Sequence, residues 1–144
     1  MNRKLRMGMV GGGKDAFIGA IHRLAANMDG LIELSCGALS INPEIAMASG
    51  EALFLPKDRT YLTFEEMIKA EAALPADKRI DFVTIVTPNF AHFAPAKMAL
   101  EHGFNVVIEK PITFSLEEAK ELKQILDKTG LTLCLTHTYS GYPL

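Results

Sequence analysis

The sequence has little cysteine, almost no net charge and no long hydrophobic run, and each shortage removes a class of protein. Two cysteines in 144 residues are too few for a disulfide framework, and nothing beside them has metal-ligand spacing. Cys36 and Cys134 both fall inside apolar runs that read as strands, so both are expected to be buried thiols in a reducing cytoplasm. A formal net charge of −2, with no stretch that concentrates Lys and Arg, gives no general attraction to a phosphate backbone and argues against nucleic acid as a partner. The start, Met1 to Arg6, is briefly basic, but the apolar run behind it reaches Gly8 and then the glycines at 11 to 13. That is too short for a signal-peptide core, and no later run is long enough to span a bilayer. A cytoplasmic location without a membrane partner follows as the expectation. Repeats, linkers and low-complexity segments are absent as well.

What the chain does have is apolar material, 49% of its residues, enough for one core but not for two ordinary domains. One domain over 1–144 is expected. Short β-rich runs alternate with amphipathic helical stretches: Leu5 to Val10, Leu31 to Leu39, Phe82 to Thr87, Phe104 to Ile108 and Leu131 to Thr136 are nearly continuous apolar runs, as in a parallel sheet covered on both faces. A weak further strand is expected at Arg59 to Leu62. Asn42-Pro43 reads as an N-cap with proline at the first helical position. Thr63 with Glu66 and Ser115 with Glu118 read as capping boxes, and Gly103 and Gly130 as helix C-terminal residues in the left-handed region. Two apolar stripes, Ile21, Leu24, Ala25 and Met28, then Leu122, Ile125 and Leu126, are expected to lie on the sheet.

The first strand-to-helix turn, Val10-Gly11-Gly12-Gly13-Lys14-Asp15-Ala16-Phe17-Ile18-Gly19, carries the most suggestive chemistry. A dinucleotide needs its pyrophosphate close to a helix N-terminus, where free N–H groups and the dipole favour negative charge, and glycines let the backbone approach that closely. Gly11, Gly13 and Ala16 satisfy G-x-G-x-x-A, with Gly19 as the alternative third position after a short insertion. A tight turn without a ligand is the plainer alternative. Gly8 through Asp15 also spells G-x-x-x-x-G-K-D, but a triphosphate P-loop needs a Ser or Thr hydroxyl at the last place to hold magnesium, and Asp15 puts a carboxylate there. The expected fold is therefore a doubly wound, mostly parallel α/β sheet of the Rossmann type, with strand order 3-2-1-4-5-6.

A Rossmann domain that prefers NAD usually ends its second strand in an acid that accepts from the adenosine ribose. This chain has Leu39-Ser40-Ile41-Asn42, and no Arg or Lys follows Ser40, which leaves NAD or NADP open with a slight lean to NADP. Ligands gather at the carboxyl edge of an open parallel sheet, and there the polar residues collect: Thr87-Pro88-Asn89 with His92, Glu109-Lys110-Pro111, and Thr136-His137-Thr138-Tyr139.

The glycine turn, Thr87-Pro88-Asn89 with His92, and above all Glu109-Lys110-Pro111 resemble the N-terminal half of the Gfo/Idh/MocA oxidoreductases, over essentially the whole chain. The resemblance implies hydride transfer between a nicotinamide and a sugar, inositol or related polyol. It implies that Lys110 is the catalytic residue, standing beside the nicotinamide and shuttling the substrate's hydroxyl proton. Gly11, Gly12, Gly13, Phe17, Ile18, Ser40, Thr87, Pro88, Asn89, His92, Glu109 and Lys110 would line the cofactor groove, Pro111 would fix the backbone at Lys110, and no metal is implied. Asn89 reads equally as an N-cap for the following helix, and His92 as a packed, hydrogen-bonded histidine. In that family a second domain closes the substrate site and usually forms the oligomer interface. This chain is therefore expected to bind cofactor without turnover and to form a homo-oligomer only with that domain. The glycine turn is longer than the family's usual form, and Ser40 stands where an acid is common. His22 and His102 read as helix-bound, while His137 and Tyr139 read as possible supports of a domain junction. Two other classes remain: a module that senses dinucleotide without chemistry, and a methyltransferase binding adenosylmethionine, which has no use for Lys110.

Overall fold

The computed structural model describes residues 3–14 and 16–141. Five strands, β1 (Leu5–Gly11), β2 (Ile32–Ala38), β3 (Phe82–Val86), β4 (Asn105–Glu109) and β5 (Leu133–Thr136), alternate with helices α1 (Phe17–Asn27), α2 (Pro43–Ala52), α3 (Phe64–Ala73), α4 (Phe93–Glu101) and α5 (Leu116–Thr129). The strands form one parallel sheet in the order β2-β1-β3-β4-β5. The expected sixth strand is reduced to a single parallel bridge, Gly37 to Thr60, with the Tyr61 N–H donating to Gly37 O at 2.9 Å. Counted as third, it restores the order 3-2-1-4-5-6. It stops there because the next N–H, of Leu62, donates to the Glu66 carboxylate at 3.3 Å, and the chain is already turning into α3.

Helix ends follow local chemistry. The Asn42 side chain accepts from the N–H groups of Glu44 and Ile45, and Ser115 and Glu118 complete a capping box. Thr63 accepts from the Glu66 N–H, but the Glu66 carboxylate takes Leu62 rather than returning to Thr63, so this cap is half a box. Gly130 closes α5 at φ 69°, and Gly103 follows α4 at φ 82°. No helix among the described residues is long and apolar enough to cross a membrane.

Two apolar clusters hold the layers. Met67, Ile68, Ala96, Ala99, Leu100 and Leu122, from α3, α4 and α5, pack with Val83, Ile85, Val106 and Ile108, with Ile125 and Leu126 partly buried against them. Ile18 and Ala26 of α1 pack with Met7, Met9 and Val86 in the second cluster. Full burial of each large side chain contributes about 1.5–3 kcal/mol. Beside the first cluster lies Glu71, fully buried, whose carboxylate accepts from the Arg59 guanidinium at 3.0 and 2.5 Å, from the Tyr61 hydroxyl at 3.1 Å and from the Ile80 N–H at 3.2 Å. Those four bonds fix the rudimentary third strand to α3 and to the start of β3. Burial, then the nearby Glu71 charge, pushes the Cys36 thiol and the Tyr61 hydroxyl above their ordinary ranges.

Two expectations about the core are corrected. The stripe Ile21, Leu24 and Met28 is exposed (42%, 67% and 80%), as is Ala25. Helix α1 instead turns Ile18, Gly19, His22, Arg23 and Ala26 inward, because only its glycine face can approach the turn after β1. Cys134 is exposed while Cys36 is buried, since Cys134 lies on the edge strand β5.

Candidate functional site

Strand β1 ends in Gly11, and Gly12 follows it, with φ of 79° and 73°, a region that penalises any residue with a Cβ. Space forbids one too: a Cβ on Gly12 would lie 2.9 Å from Met9 Sδ and 2.9 Å from Val86 Cγ2, and one on Gly19 would lie 2.4 Å from Gly12 Cα. Gly19 is thus the third position of the motif and lets α1 sit directly on the turn. Gly13 is confined from the other side, where a Cβ would meet Leu39 O and Ser49 Oγ, each at 2.8 Å. Gly8 lies inside β1, where a Cβ would come within 2.7 Å of Ile80 Cδ1. The P-loop reading fails on that observation. Asp15, on which that reading also turned, lies outside the described residues.

The turn satisfies its own polar groups. Gly13 N donates to Leu39 O (3.0 Å), Ala16 N to Gly13 O (2.9 Å) and Lys14 N to Ser49 Oγ (2.9 Å). Arg23 donates to Gly12 O at 2.6 Å, and burial lowers the pKa of its guanidinium. At the start of α1, Ala16 at the N-cap is extended, offers no side-chain cap, and the first turn carries no acid. Helices α2, α3 and α5 are capped by side chains and carry Glu in their first turns, while α4, also uncapped and acid-free, continues from the helical turn Asn89–Ala91. The first N–H groups of a helix have no partner within it, so this end presents donors and a positive dipole, with no acid in its first turn and no side-chain cap among the described residues. Phe17 there is 80% exposed, and Ile18 is half-buried.

Two adjoining cavities extend from this turn over the end of β2. One, of about 280 Å³, is lined by Val10, Gly11, Ser40, Thr63, Phe64 and Glu65 among others; the next, of about 230 Å³, by Gly13, Ala16, Leu39, Ser40 and Ile45. Ser40 lines both, and its Oγ accepts from the Asn42 N–H at 3.1 Å. Glu65 is the one charged residue in the two linings. No cation stands there for a 2′-phosphate, so the expected lean to NADP finds no support. A cleft of about 590 Å³ between α1 and β2 is lined by Lys4, Met7, Ile32 and Leu34, toward the amino ends of the strands and away from the polar rim.

The other rim residues come from β3 and β4. Pairing of Gly11 with Val86 brings Thr87-Pro88-Asn89 beside the glycine turn, at the point where the chain's winding reverses. Thr87 Oγ1 donates to Ala91 O at 3.0 Å, Pro88 is exposed, and Asn89 Oδ1 is buried with no hydrogen-bond partner among the described residues. A buried acceptor in that state is open to a donor such as water or a ligand. His92 is 1% exposed, with Nδ1 at 2.7 Å from Pro111 O and Nε2 at 2.9 Å from Thr87 O. It ties two rim turns together from behind. Of its two readings, groove contact and packed histidine, this geometry matches the second, because both ring nitrogens already have partners.

Glu109 ends β4 at 8% exposure, its Oε2 accepting from the Lys110 N–H at 3.1 Å and its Oε1 paired with His22 Nε2 at 2.9 Å. Lys110 is exposed and joined to Pro111 by a cis peptide bond. His137 and Tyr139 follow β5 at the same edge, both exposed. Arg23 escaped the sequence reading, and His22 was read only as helix-bound. Their signal was the spacing from Gly19: once that glycine faces the turn, residues three and four positions on face it as well.

Comparison with known proteins gives one family. Residues 5–137 match the Gfo/Idh/MocA model, described as an oxidoreductase family with an NAD-binding Rossmann fold. The uncharacterised oxidoreductase YfiI of Bacillus subtilis is 34% identical over 98% of this chain and 36% of its own length. The crystal structure of an oxidoreductase from Sinorhizobium meliloti is 48% identical, with a TM-score of 0.91 over 99% of this chain and 39% of its own. An inositol dehydrogenase homologue from Azotobacter vinelandii, complexed with NADH and myo-inositol, is 38% identical, with a TM-score of 0.92 over 98% of this chain and 37% of its own. The chain thus spans less than two fifths of the length of these relatives.

Proposed function

Because the chain belongs to the Gfo/Idh/MocA family of oxidoreductases, we propose that it binds a nicotinamide dinucleotide across its glycine turn and presents Lys110 for proton transfer during oxidation or reduction of a sugar, inositol or related polyol. The observation that carries the reading is the start of α1: an uncapped helix end with no acid in its first turn, held against Gly12 by Gly19; Asn89 Oδ1, after the neighbouring strand β3, is buried without a donor among the described residues. Those groups fit the cofactor. The N–H groups of Phe17 and Ile18 would take the pyrophosphate, Ser40 and the cavity around it the adenosine, and Thr87, Pro88 and Asn89 the nicotinamide half. Without a cation beside Ser40, and with Glu65 in the lining, the site favours NAD over NADP.

The cofactor, when bound, supplies the hydride acceptor, or the donor in the reverse direction. The chain's own residues supply position and the proton path. The glycine turn brings backbone close to the phosphates, and Arg23 and Ser49 hold that turn in place. Lys110 in its amine form accepts the hydroxyl proton of the carbon that becomes a carbonyl, and returns it when the carbonyl is reduced. Glu109 holds the backbone from which Lys110 projects. Oxidation of a polyol also requires the reacting carbon to be held within close reach and water to be excluded. Binding of NADH to this chain, measured by calorimetric titration, tests the cofactor half of the proposal, and absence of binding contradicts it.

A further inference from the structure

Glu109 sits where two parts of the site meet. Its side chain is almost wholly withdrawn from water, so each carboxylate oxygen needs a partner. One oxygen takes the backbone N–H of Lys110 at 3.1 Å; the other faces His22 Nε2 at 2.9 Å, with both side chains about one-tenth exposed. His22 belongs to α1, one turn after Gly19, on the face that rests against the glycine turn. Its neighbour Arg23 holds Gly12 O from the same face. A single carboxylate therefore joins the helix proposed to receive the phosphates to the backbone that carries the proposed base. Without the His22 bond, that carboxylate would keep a charge in a dry site with one partner lost, and would turn toward water, releasing the Lys110 N–H.

We propose that His22 is a positioning residue for Lys110: by holding the Glu109 carboxylate against the Lys110 backbone N–H, it ties the lysine's place in the site to helix α1. His22 touches neither reacting atoms nor phosphate; it acts through Glu109. This inference rests on the reading of Lys110 as the proton-transfer group, but the contact itself is measured without turnover.

The test uses the 15N-labelled 144-residue chain, with His22→Phe, which keeps ring volume and removes the donor, and His22→Gln, which keeps a donor near the Nε2 position. Amide hydrogen exchange at Lys110 should quicken at least tenfold in the Phe variant and stay within twofold of the parent in the Gln variant. NADH affinity should stay within threefold in both, since the start of α1 is untouched. A merely structural role would instead speed exchange along β4 and α1 together, without rescue by Gln. In the parent, a long-range 1H–15N spectrum should show His22 Nε2 carrying its proton at neutral pH, a measurement that needs no variant to fold. Unchanged exchange at Lys110 in a folded Phe variant, or a bare Nε2 in the parent, would overturn the inference. Failure of the parent to bind NADH would overturn the cofactor reading instead, so the two failures are told apart.

Discussion

Gly12 and Gly19 meet backbone to backbone: a Cβ on Gly19 would stand 2.4 Å from Gly12 Cα and 2.7 Å from Gly12 O. The atoms in the way are main chain and cannot swing aside. Gly19→Ala must push α1 off the turn, and the strain of overpacking is about 1–3 kcal/mol. Urea denaturation should show a loss of that size, and NADH affinity should fall with it because the helix end moves. An alanine variant of parental stability would mean that α1 does not rest on the turn.

Asp81 accepts two bonds from the Arg3 guanidinium, at 2.7 and 2.8 Å, and one from the Arg6 N–H at 2.7 Å. The Arg3 hydrogen bond foremost, helped by the Arg6 N–H and opposed by burial, holds its carboxyl below the usual value of 3.8. A depressed folded-state pKa means that the unfolded chain takes up the proton first as pH falls. The contribution is complete above the unfolded value and is lost as pH drops through the folded one. Asp81→Asn should therefore be less stable than the parent at neutral pH, with the gap narrowing below about pH 4. Denaturation curves over a pH series check this, and a gap that stays constant into acid would contradict it.

Ser40 lines both cavities over the end of β2, with no cation in either lining among the described residues. The parent should bind NADH more tightly than NADPH, and Ser40→Arg should move the affinity ratio at least tenfold toward NADPH, about 1.4 kcal/mol, by supplying a partner for the 2′-phosphate. Titration with both cofactors decides, and an unchanged ratio would put the ribose elsewhere.

Lys110 is exposed at the rim, just after strand β4. In a chimera where this chain replaces the matching third of the Azotobacter vinelandii inositol dehydrogenase homologue, Lys110→Ala should lower kcat on the order of 100- to 10,000-fold, the usual range for a lost proton-transfer group. The KM for the dinucleotide should barely change. Full activity of the alanine variant would remove the lysine from the chemistry.

What the sequence made legible was mostly local. Proline, glycine and hydroxyl–carboxylate pairs mark helix ends because each acts within four residues, and Asn42, Ser115 and Gly130 behave as their chemistry dictates. Continuous apolar runs gave the strands, and the rim motifs after β3 and β4 gave the site. The face of α1 was lost because apolar periodicity selects the greasiest stripe, whereas a size constraint, Gly19 on Gly12, sets the helix's rotation. The inward places of His22 and Arg23 were lost for the same reason, both being on the face that rotation turns inward. The thinning of the third strand to Thr60 depends on where Leu62 sends its N–H, a choice between helix and sheet that composition does not record. The two readings of His92, groove contact and packed histidine, could not be separated from the sequence, since its depth is a tertiary fact.

The central claim, that the start of α1 is a dinucleotide phosphate site, is tested most directly by Ala16→Asp. Ala16 has the extended backbone of an N-cap (φ −103°, ψ 109°) and no side chain to use it. An aspartate there would cap the helix and should raise stability by about 0.5–2 kcal/mol, while its carboxylate occupies the donors and repels the pyrophosphate. Calorimetric titration with NADH, paired with a denaturation curve, should find a chain that is more stable than the parent and binds at least tenfold more weakly. A stabilised aspartate variant that binds NADH as tightly as the parent would place the phosphates elsewhere and contradict the account.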